Sequence, residues 1–350
     1  MDTVSRMKTP ESLQEAGLID ALQAMQIAQV SQRYALSLTH DVATLIDPTD
    51  PSDPIARQFI PNTAELTEHQ GESADPIGDH THSPVEGIVH RHPDRVLLKV
   101  TSVCPVYCRF CFRREMVGPE KGEALSSDAL EAALSYIAGN QQIWEVILTG
   151  GDPFILSDRR ITQLTARLAT IPHVRIARWH TRVPVVDPGR ITPALAEALR
   201  TEGLATYVVL HANHPRELTA AARAACGLIV DAGIPMLSQS VLLRGVNDDA
   251  ETLEALMRGL VESRVKPYYL HHPDRPPGTA HFSVPIAQGQ ALIAHLHGSA
   301  SGLCQPSYVL DIPGGYGKVP LRPGAAHRRA DGLYEIKDNQ GRIHLYGDRR

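Results

Sequence analysis

No stretch of this chain approaches the ~18 consecutive apolar residues that a membrane-crossing helix needs, which excludes a helical span. The first residues, Met1-Asp2-Thr3-Val4-Ser5-Arg6-Met7-Lys8, lack the apolar core of a secretory leader. A net charge of −5 and a pI near 6.4 give no basic surface for nucleic acid or an anionic membrane. Cysteine is scarce and odd in number, five in all, which argues against a disulfide framework. No internal repeat of solenoid length appears. What remains is a chain expected in a reducing cytoplasm, with no nucleic-acid or membrane partner. Its 350 residues, 43% of them hydrophobic, suffice for one barrel-sized core or a core plus an extension.

Three of the five cysteines fall in one short stretch, Val103-Cys104-Pro105-Val106-Tyr107-Cys108-Arg109-Phe110-Cys111. It follows the apolar run Val96-Leu97-Leu98-Lys99-Val100. Three thiolates spaced C-x3-C-x2-C can hold three corners of a cubane 4Fe–4S cluster and leave the fourth iron open to a small molecule. A zinc site would need a second ligand pair at defined spacing, and none follows. The other two cysteines, Cys226 and Cys304, stand far apart in sequence.

Upstream, Thr9-Pro10-Glu11 reads as a helix start, and Leu13, Leu18, Leu22, Met25 and Val30 recur at helical spacing. From Asp47 to Pro84, repeated Asp-Pro pairs predict an irregular connector, with His80 and His82 as exposed loop histidines. From Val96 onward, strand-like runs at Leu97–Val103, Val146–Leu148, Val174–Ala177, Thr206–Leu210, Ile234–Val241 and Val265–Leu270 alternate with helix-length segments. Such βα units in series require a parallel sheet. The expected architecture is α/β, a partial TIM-type (β/α)6 barrel, with a flat doubly wound sheet as the alternative. Residues 1–85 are expected to form a helical extension and connector, 86–300 the barrel, and 301–350 a closing segment ending in a hairpin.

In such a barrel the working residues follow each strand. Those positions hold the cysteines, then Thr149-Gly150-Gly151-Asp152, then Arg178, His180 and Arg182. Next come His211, Asn213 and His214, then Ser238, Gln239 and Ser240, and last His271, His272 and Asp274. A second constellation lies at Asp311-Ile312-Pro313-Gly314-Gly315-Tyr316-Gly317-Lys318. A lysine on a glycine-rich turn suits Schiff-base chemistry, because the turn lets the amine swing. The spacing is wrong for a phosphate-binding Walker loop, and Val319 cannot hold magnesium.

The cysteine pattern after a first strand resembles the radical S-adenosylmethionine superfamily. That resemblance implies that the open iron binds S-adenosylmethionine and that reduction yields a 5′-deoxyadenosyl radical. It also implies that Phe110 packs on the adenine and that Gly150, Gly151 and Asp152 match the motif contacting the methionine amino group. Taken with His90-Arg91-His92-Pro93-Asp94-Arg95, Gln239 to Asp248, Lys266-Pro267-Tyr268-Tyr269 and the Lys318 turn, residues 40 to 325 resemble the lysine 2,3-aminomutase family. The resemblance implies an isomerase in which pyridoxal 5′-phosphate is carried on Lys318 and Arg91, Arg95 and Gln239 surround its phosphate. Arg113 would hold the substrate carboxylate, and Asp274 and Asp311 would receive the ε-ammonium of lysine. An electron donor such as flavodoxin or ferredoxin is implied as a partner, and a homo-oligomer is one allowed assembly. Long members complete a structural zinc site with a cysteine where this chain has Asp249; short forms also serve β-lysylation of elongation factor P. An iron–sulfur redox or sensor protein, the alternative of another class, would need neither Lys318 nor the two aspartates.

Overall fold

Two capping boxes divide the N-terminal leader into two helices. The computed structural model describes residues 6–122, 124–322 and 324–348, so the ends of the chain at 1–5 and 349–350 lie outside the described residues. Thr9 and Ser12 cap the helix Pro10–Glu15, and Asp20 and Gln23 cap Ala21–Arg33. Gly17, at φ 72°, makes the break that apolar spacing alone did not register. The connector is also less irregular than expected. Asp53 and Pro54 supply an N-cap and a first-position proline, and a helix runs over Pro54–Phe59.

The main sheet has nine strands in sequence order. They are β1 (Ile88–His92), β2 (Arg95–Thr101), β3 (Glu145–Gly150), β4 (Ile176–Thr181), β5 (Ala205–His211), β6 (Met236–Val241), β7 (Val265–His271), β8 (Ser307–Asp311) and β9 (Lys318–Pro320). Strands β2 to β7 are the six expected ones, and β8 adds a seventh parallel strand. Antiparallel strands finish both edges, β1 on β2 and β9 on β8. The six helices lie where expected, at Ser127–Gly139, Asp158–Ala169, Pro193–Ala198, Ala220–Asp231, Ala250–Glu262 and Ile286–Ser299. The closing hairpin, β11 (Leu333–Lys337) with β12 (Ile343–Gly347), is joined by β10 (Ala326–Arg328) into a separate three-stranded sheet.

Strand alternation gives the barrel a greasy outside and a polar inside. Val146, Leu148, Ala177, Trp179, Val208 and Leu210 are buried in the core shared with the helices, beside Ile161, Leu164 and Leu168. The register carries the intervening residues to the other face: Lys99 beside Thr149, His211 beside Gln239, and Gln239 beside Tyr269. Across the open side of the barrel, the connector packs on the Lys318 turn. A Cβ added at Gly78 would stand 2.8 Å from the carbonyl carbon of Gly314, and one at Gly315 would stand 2.7 Å from His82 Nε2. The gap between β1 and β9 is therefore closed by residues 75–83. His80 remains on the surface as expected, its side chain 68% exposed, whereas His82 lies against the turn.

Candidate active site

The cysteine loop leaves β2 at the C-terminal end of the barrel, and the N-terminal extension fixes its course. Tyr107 N donates to Ser37 O at 3.2 Å and Arg109 N to Gln58 O at 2.8 Å. Buried Glu65 holds both Arg109 and Arg114, so the loop is clamped by charge as well as by backbone. Cys104, Cys108 and Cys111 are free thiols, and burial pushes all three above the ordinary thiol range, Cys111 to about 11. A metal would bind them as thiolates, releasing those protons. Among the described residues, no three His, Cys, Asp or Glu side chains are gathered tightly enough to hold a single ion. Cys226 and Cys304 lie apart in the apolar core.

Gly150 and Gly151 pass directly beneath this loop. A Cβ at Gly150 would meet Thr101 O at 2.2 Å, and one at Gly151 would meet Val103 O at 2.2 Å. The close approach they permit is thus to the backbone that carries Cys104. Asp152 accepts from Phe154 N, Thr181 Oγ1 and Arg182 N, which ties the loops after β3 and β4 together. Gly151→Ala is expected to lower the unfolding free energy by about 1–3 kcal/mol, the usual cost of overpacking. Iron bound per chain should fall with it. Denaturant unfolding and a colorimetric iron assay check this, and wild-type values in both would contradict the packing argument.

Phe110 is buried with Leu243, Val246 and Phe282 beside Cys108, and its ring lies 5.7 Å from that of His211. Gln239 stands 3.3 Å from Nδ1 of His180. Several polar residues after the strands staple loops: Asn213 accepts from Val241 N, Asn247 donates to Asn213 O, and His272 bonds Tyr308. Asp249 caps the helix Ala250–Glu262 through Thr252 N.

Residues from six segments meet inside the barrel. Lys318 opens β9 and is paired in register with Asp311 at the end of β8, and its amine forms an ion pair with that carboxylate. His271 Nδ1 lies 3.4 Å from the same carboxylate, and the Tyr269 ring lies 5.6 Å from the amine. Burial would raise Asp311, but Lys318 and His271 outweigh it and hold the carboxyl below its ordinary range. Asp274 is raised to about 8, first by burial and then by the charge of Asp311, while Lys318, Arg113 and Arg91 oppose the rise. Histidines 180, 211 and 271 are all pushed down, chiefly by burial and then by nearby cations, so they line the cavity as neutral imidazoles.

Arg113 and Arg91 share one buried partner that the motif reading did not single out. Asp79 accepts from Arg113 Nε at 2.8 Å and from Arg91 at 3.0 Å. Lys99 is a second addition; burial, then Arg113, lowers it. Its in-phase position in β2 was the available signal, whereas Asp79 sits in a stretch with no periodicity. Arg95 is held by Asp94 at 2.7 Å. A cleft of about 200 Å³, lined by Lys99, Ser102, Arg113, Met116, Lys121 and Leu125, opens towards this region.

Buried polar atoms with no partner in the protein mark where a polar ligand fits. They include Arg91 Nε, His180 Nε2 and His211 Nε2. Together with Arg95, they suit a phosphorylated, partly aromatic group close to Lys318. The three free thiols at the mouth suit an iron–sulfur cluster.

The profile described as the radical SAM superfamily matches residues 98–256. The L-lysine 2,3-aminomutase of Clostridium subterminale is 38% identical over 98% of this chain and 82% of its own length. The glutamate 2,3-aminomutase of Clostridioides difficile is 36% identical over 85% of this chain and 70% of its own. The L-lysine 2,3-aminomutase of Escherichia coli K12 is 34% identical over 89% of this chain and 91% of its own. With 34–38% identity to these enzymes over 85–98% of its length, the chain belongs to the lysine 2,3-aminomutase family of radical S-adenosylmethionine enzymes, and with the family come a 4Fe–4S cluster and S-adenosylmethionine.

Proposed function

We propose that the chain is an L-lysine 2,3-aminomutase that interconverts L-α-lysine and β-lysine, with pyridoxal 5′-phosphate carried on Lys318. The observation that carries this reading is the ion pair of Lys318 with buried Asp311, beside which Asp274 lies close enough for the two carboxylates to repel and for Arg113 to be felt. When bound, the cluster with S-adenosylmethionine would supply radical chemistry able to activate a C–H bond, and pyridoxal phosphate would supply a conjugated ring able to delocalise spin.

The protein's part is binding, orientation and exclusion of water. Cys104, Cys108 and Cys111 would hold the iron, and Phe110, Gly150, Gly151 and Asp152 would border the adenosyl group. Arg91, Arg95 and Gln239 would receive the phosphate, where the unpartnered Arg91 Nε and His180 Nε2 favour an anion. Arg113 would clamp the substrate carboxylate, a planar match that arginine makes better than lysine. Asp274 and Asp311 would pair with the ε-ammonium. Burying an ammonium costs several kcal/mol unless it is paired, so two carboxylates select a cationic side chain. A glutamate side chain would instead meet repulsion there. The electron would come from a flavodoxin- or ferredoxin-type donor, and the product could serve catabolism or β-lysylation of elongation factor P.

Anaerobic incubation with reductant, S-adenosylmethionine and each of lysine, glutamate, ornithine and arginine tests the reading. β-Lysine is expected from lysine alone, and turnover of glutamate with none of lysine would sink it. A pH dependence follows. Asp274 is neutral below its raised value of about 8 and ionised above it. The substrate ammonium, near 10.4 when free, stays charged throughout that range. Hence kcat/KM for lysine is expected to climb as pH rises towards about 8. Asp274→Asn should flatten that limb and lower kcat/KM by at least about tenfold, the scale of losing one charge-assisted bond. An unchanged profile in the variant would remove Asp274 from the ammonium site.

A further inference from the structure

The guanidinium of Arg182 reaches the sulfur of one cysteine of the loop. Nη1 lies 3.1 Å from Cys108 Sγ, on a side chain that is 6% exposed. Arg182 follows β4, and its backbone N–H is held by Asp152 at 2.7 Å, so the root of the side chain is fixed. The planes of Phe59 and Phe110 cover the guanidinium carbon at 4.6 and 5.5 Å. The other terminal nitrogen, Nη2, donates to Glu217 Oε2 at 2.6 Å and to Gln58 Oε1 at 2.7 Å.

Glu217 does not cancel this cation at the sulfur. Its other oxygen accepts from the backbone N–H groups of Asn213 and His214 at 2.8 and 2.9 Å, and from Gln58 Nε2 at 3.2 Å. Its negative charge is therefore spread over those donors, on the side of the guanidinium turned away from Cys108. What faces the sulfur is a charged N–H donor in a low-dielectric pocket.

We propose that Arg182 sets the reduction potential of the iron–sulfur cluster through its hydrogen bond to Cys108. The inference rests on the reading that Cys108 ligates iron. Reduction adds one electron to the cluster, supplied in the assay by dithionite, and no proton moves because the guanidinium stays charged throughout. The added electron increases negative charge on the ligand sulfurs. A fixed cation and donor at one sulfur stabilise the reduced state more than the oxidised one and raise the potential. Glu217, Gln58 and Asn213 act as positioning residues for that guanidinium.

The test is a redox titration of the anaerobically reconstituted full chain without substrate or S-adenosylmethionine, following the spin-resonance signal of the reduced cluster, with iron content measured in parallel. The double variant Arg182→Gln/Glu217→Gln removes both charges and leaves no buried ion unpaired. With full iron, its reduction equilibrium constant is expected to fall about tenfold, which is 59 mV for one electron. A fall under threefold, or a rise, overturns the proposal. If that variant assembles no cluster, Arg182→Lys decides. It keeps the charge and disturbs the bond, so a smaller shift in the same direction supports the proposal and an unmoved midpoint overturns it. Loss of iron from both variants also overturns it, in favour of a purely structural clamp. Cys108→Ala is the control for the underlying reading: full iron in that variant would sink the ligand assignment whatever the midpoints show.

Discussion

Lys318→Ala is expected to bind iron and S-adenosylmethionine as the unaltered protein does, to show none of the visible absorbance of protein-bound pyridoxal phosphate, and to form no β-amino acid. The expected loss is on the order of ten-thousand-fold or more, the scale seen when a covalently acting group is removed. The reason is positional. Lys318 is the first residue of β9, and its antiparallel pairing with Asp311 brings its amine into the barrel. The turn before it, Gly314-Gly315-Tyr316-Gly317, has all three glycines at φ near 90°, in the left-handed region. No other lysine stands opposite Asp311 in the register. Lys266 donates outward to the carbonyls of Leu303 and Gln305, and Lys99 lies across the cavity beside Arg113. Absorbance spectra, iron assay and product chromatography read the three outcomes separately. Turnover within tenfold of wild type would defeat the assignment of Lys318, while a simultaneous loss of iron would mean that the variant had disturbed the fold.

Much of this arrangement was legible in the residues, and the exceptions have physical causes. β-Branched runs at regular spacing gave the six central strands, because period-two burial leaves a direct imprint on sequence. The cysteine spacing and the Lys318 turn were legible for a related reason: few backbones bring three thiols or three glycines so close together. The edge strands β1 and β9, and β8 beside β9, were not legible. All three are short, and β9 spans only three residues, too few for a period-two pattern to show. The connector was underread for the opposite reason. Its Asp-Pro pairs break regular elements, and that signal hides the tertiary role of Gly78, Asp79 and His82 in sealing the barrel. Polar groups after strands also look alike in sequence whether they face a ligand or staple loops. Only the structure shows that Asn213 staples loops, through Val241 N and Asn247.

Asp79→Ala is expected to cost more than any surface substitution, because this residue joins the two arginines at the heart of the site. Its carboxylate is fully buried, and its backbone N–H is in turn held by Asp75 at 2.7 Å. Removing it takes from Arg91 and Arg113 their shared partner and from Lys99 one of the two carboxylates that offset its charge, Asp75 being the other. Breaking a buried pair by deleting one partner costs about 3–5 kcal/mol, so a large fall in the denaturation midpoint is expected. Burial pushes the Asp79 carboxyl up, but Arg113 and then Arg91 prevail and hold it below its ordinary value. A depressed folded pKa contributes stability that is complete above the unfolded value of about 3.9 and is lost as pH falls through the folded one. The variant should therefore lose stability most at neutral pH and show a flatter acid limb. Asp79→Asn keeps the shape and removes the charge, which separates orientation from electrostatics in catalysis. Without the aspartate, Arg113 attracts a substrate carboxylate more strongly but is no longer aimed. These effects oppose each other in binding, so KM should change by less than about tenfold. Orientation alone governs the reacting geometry, where a misplacement of about 1 Å costs on the order of a hundredfold, so that loss should appear in kcat. A variant with wild-type kcat and a raised KM would show that Asp79 contributes only charge, and that the connector closes the barrel without positioning the substrate.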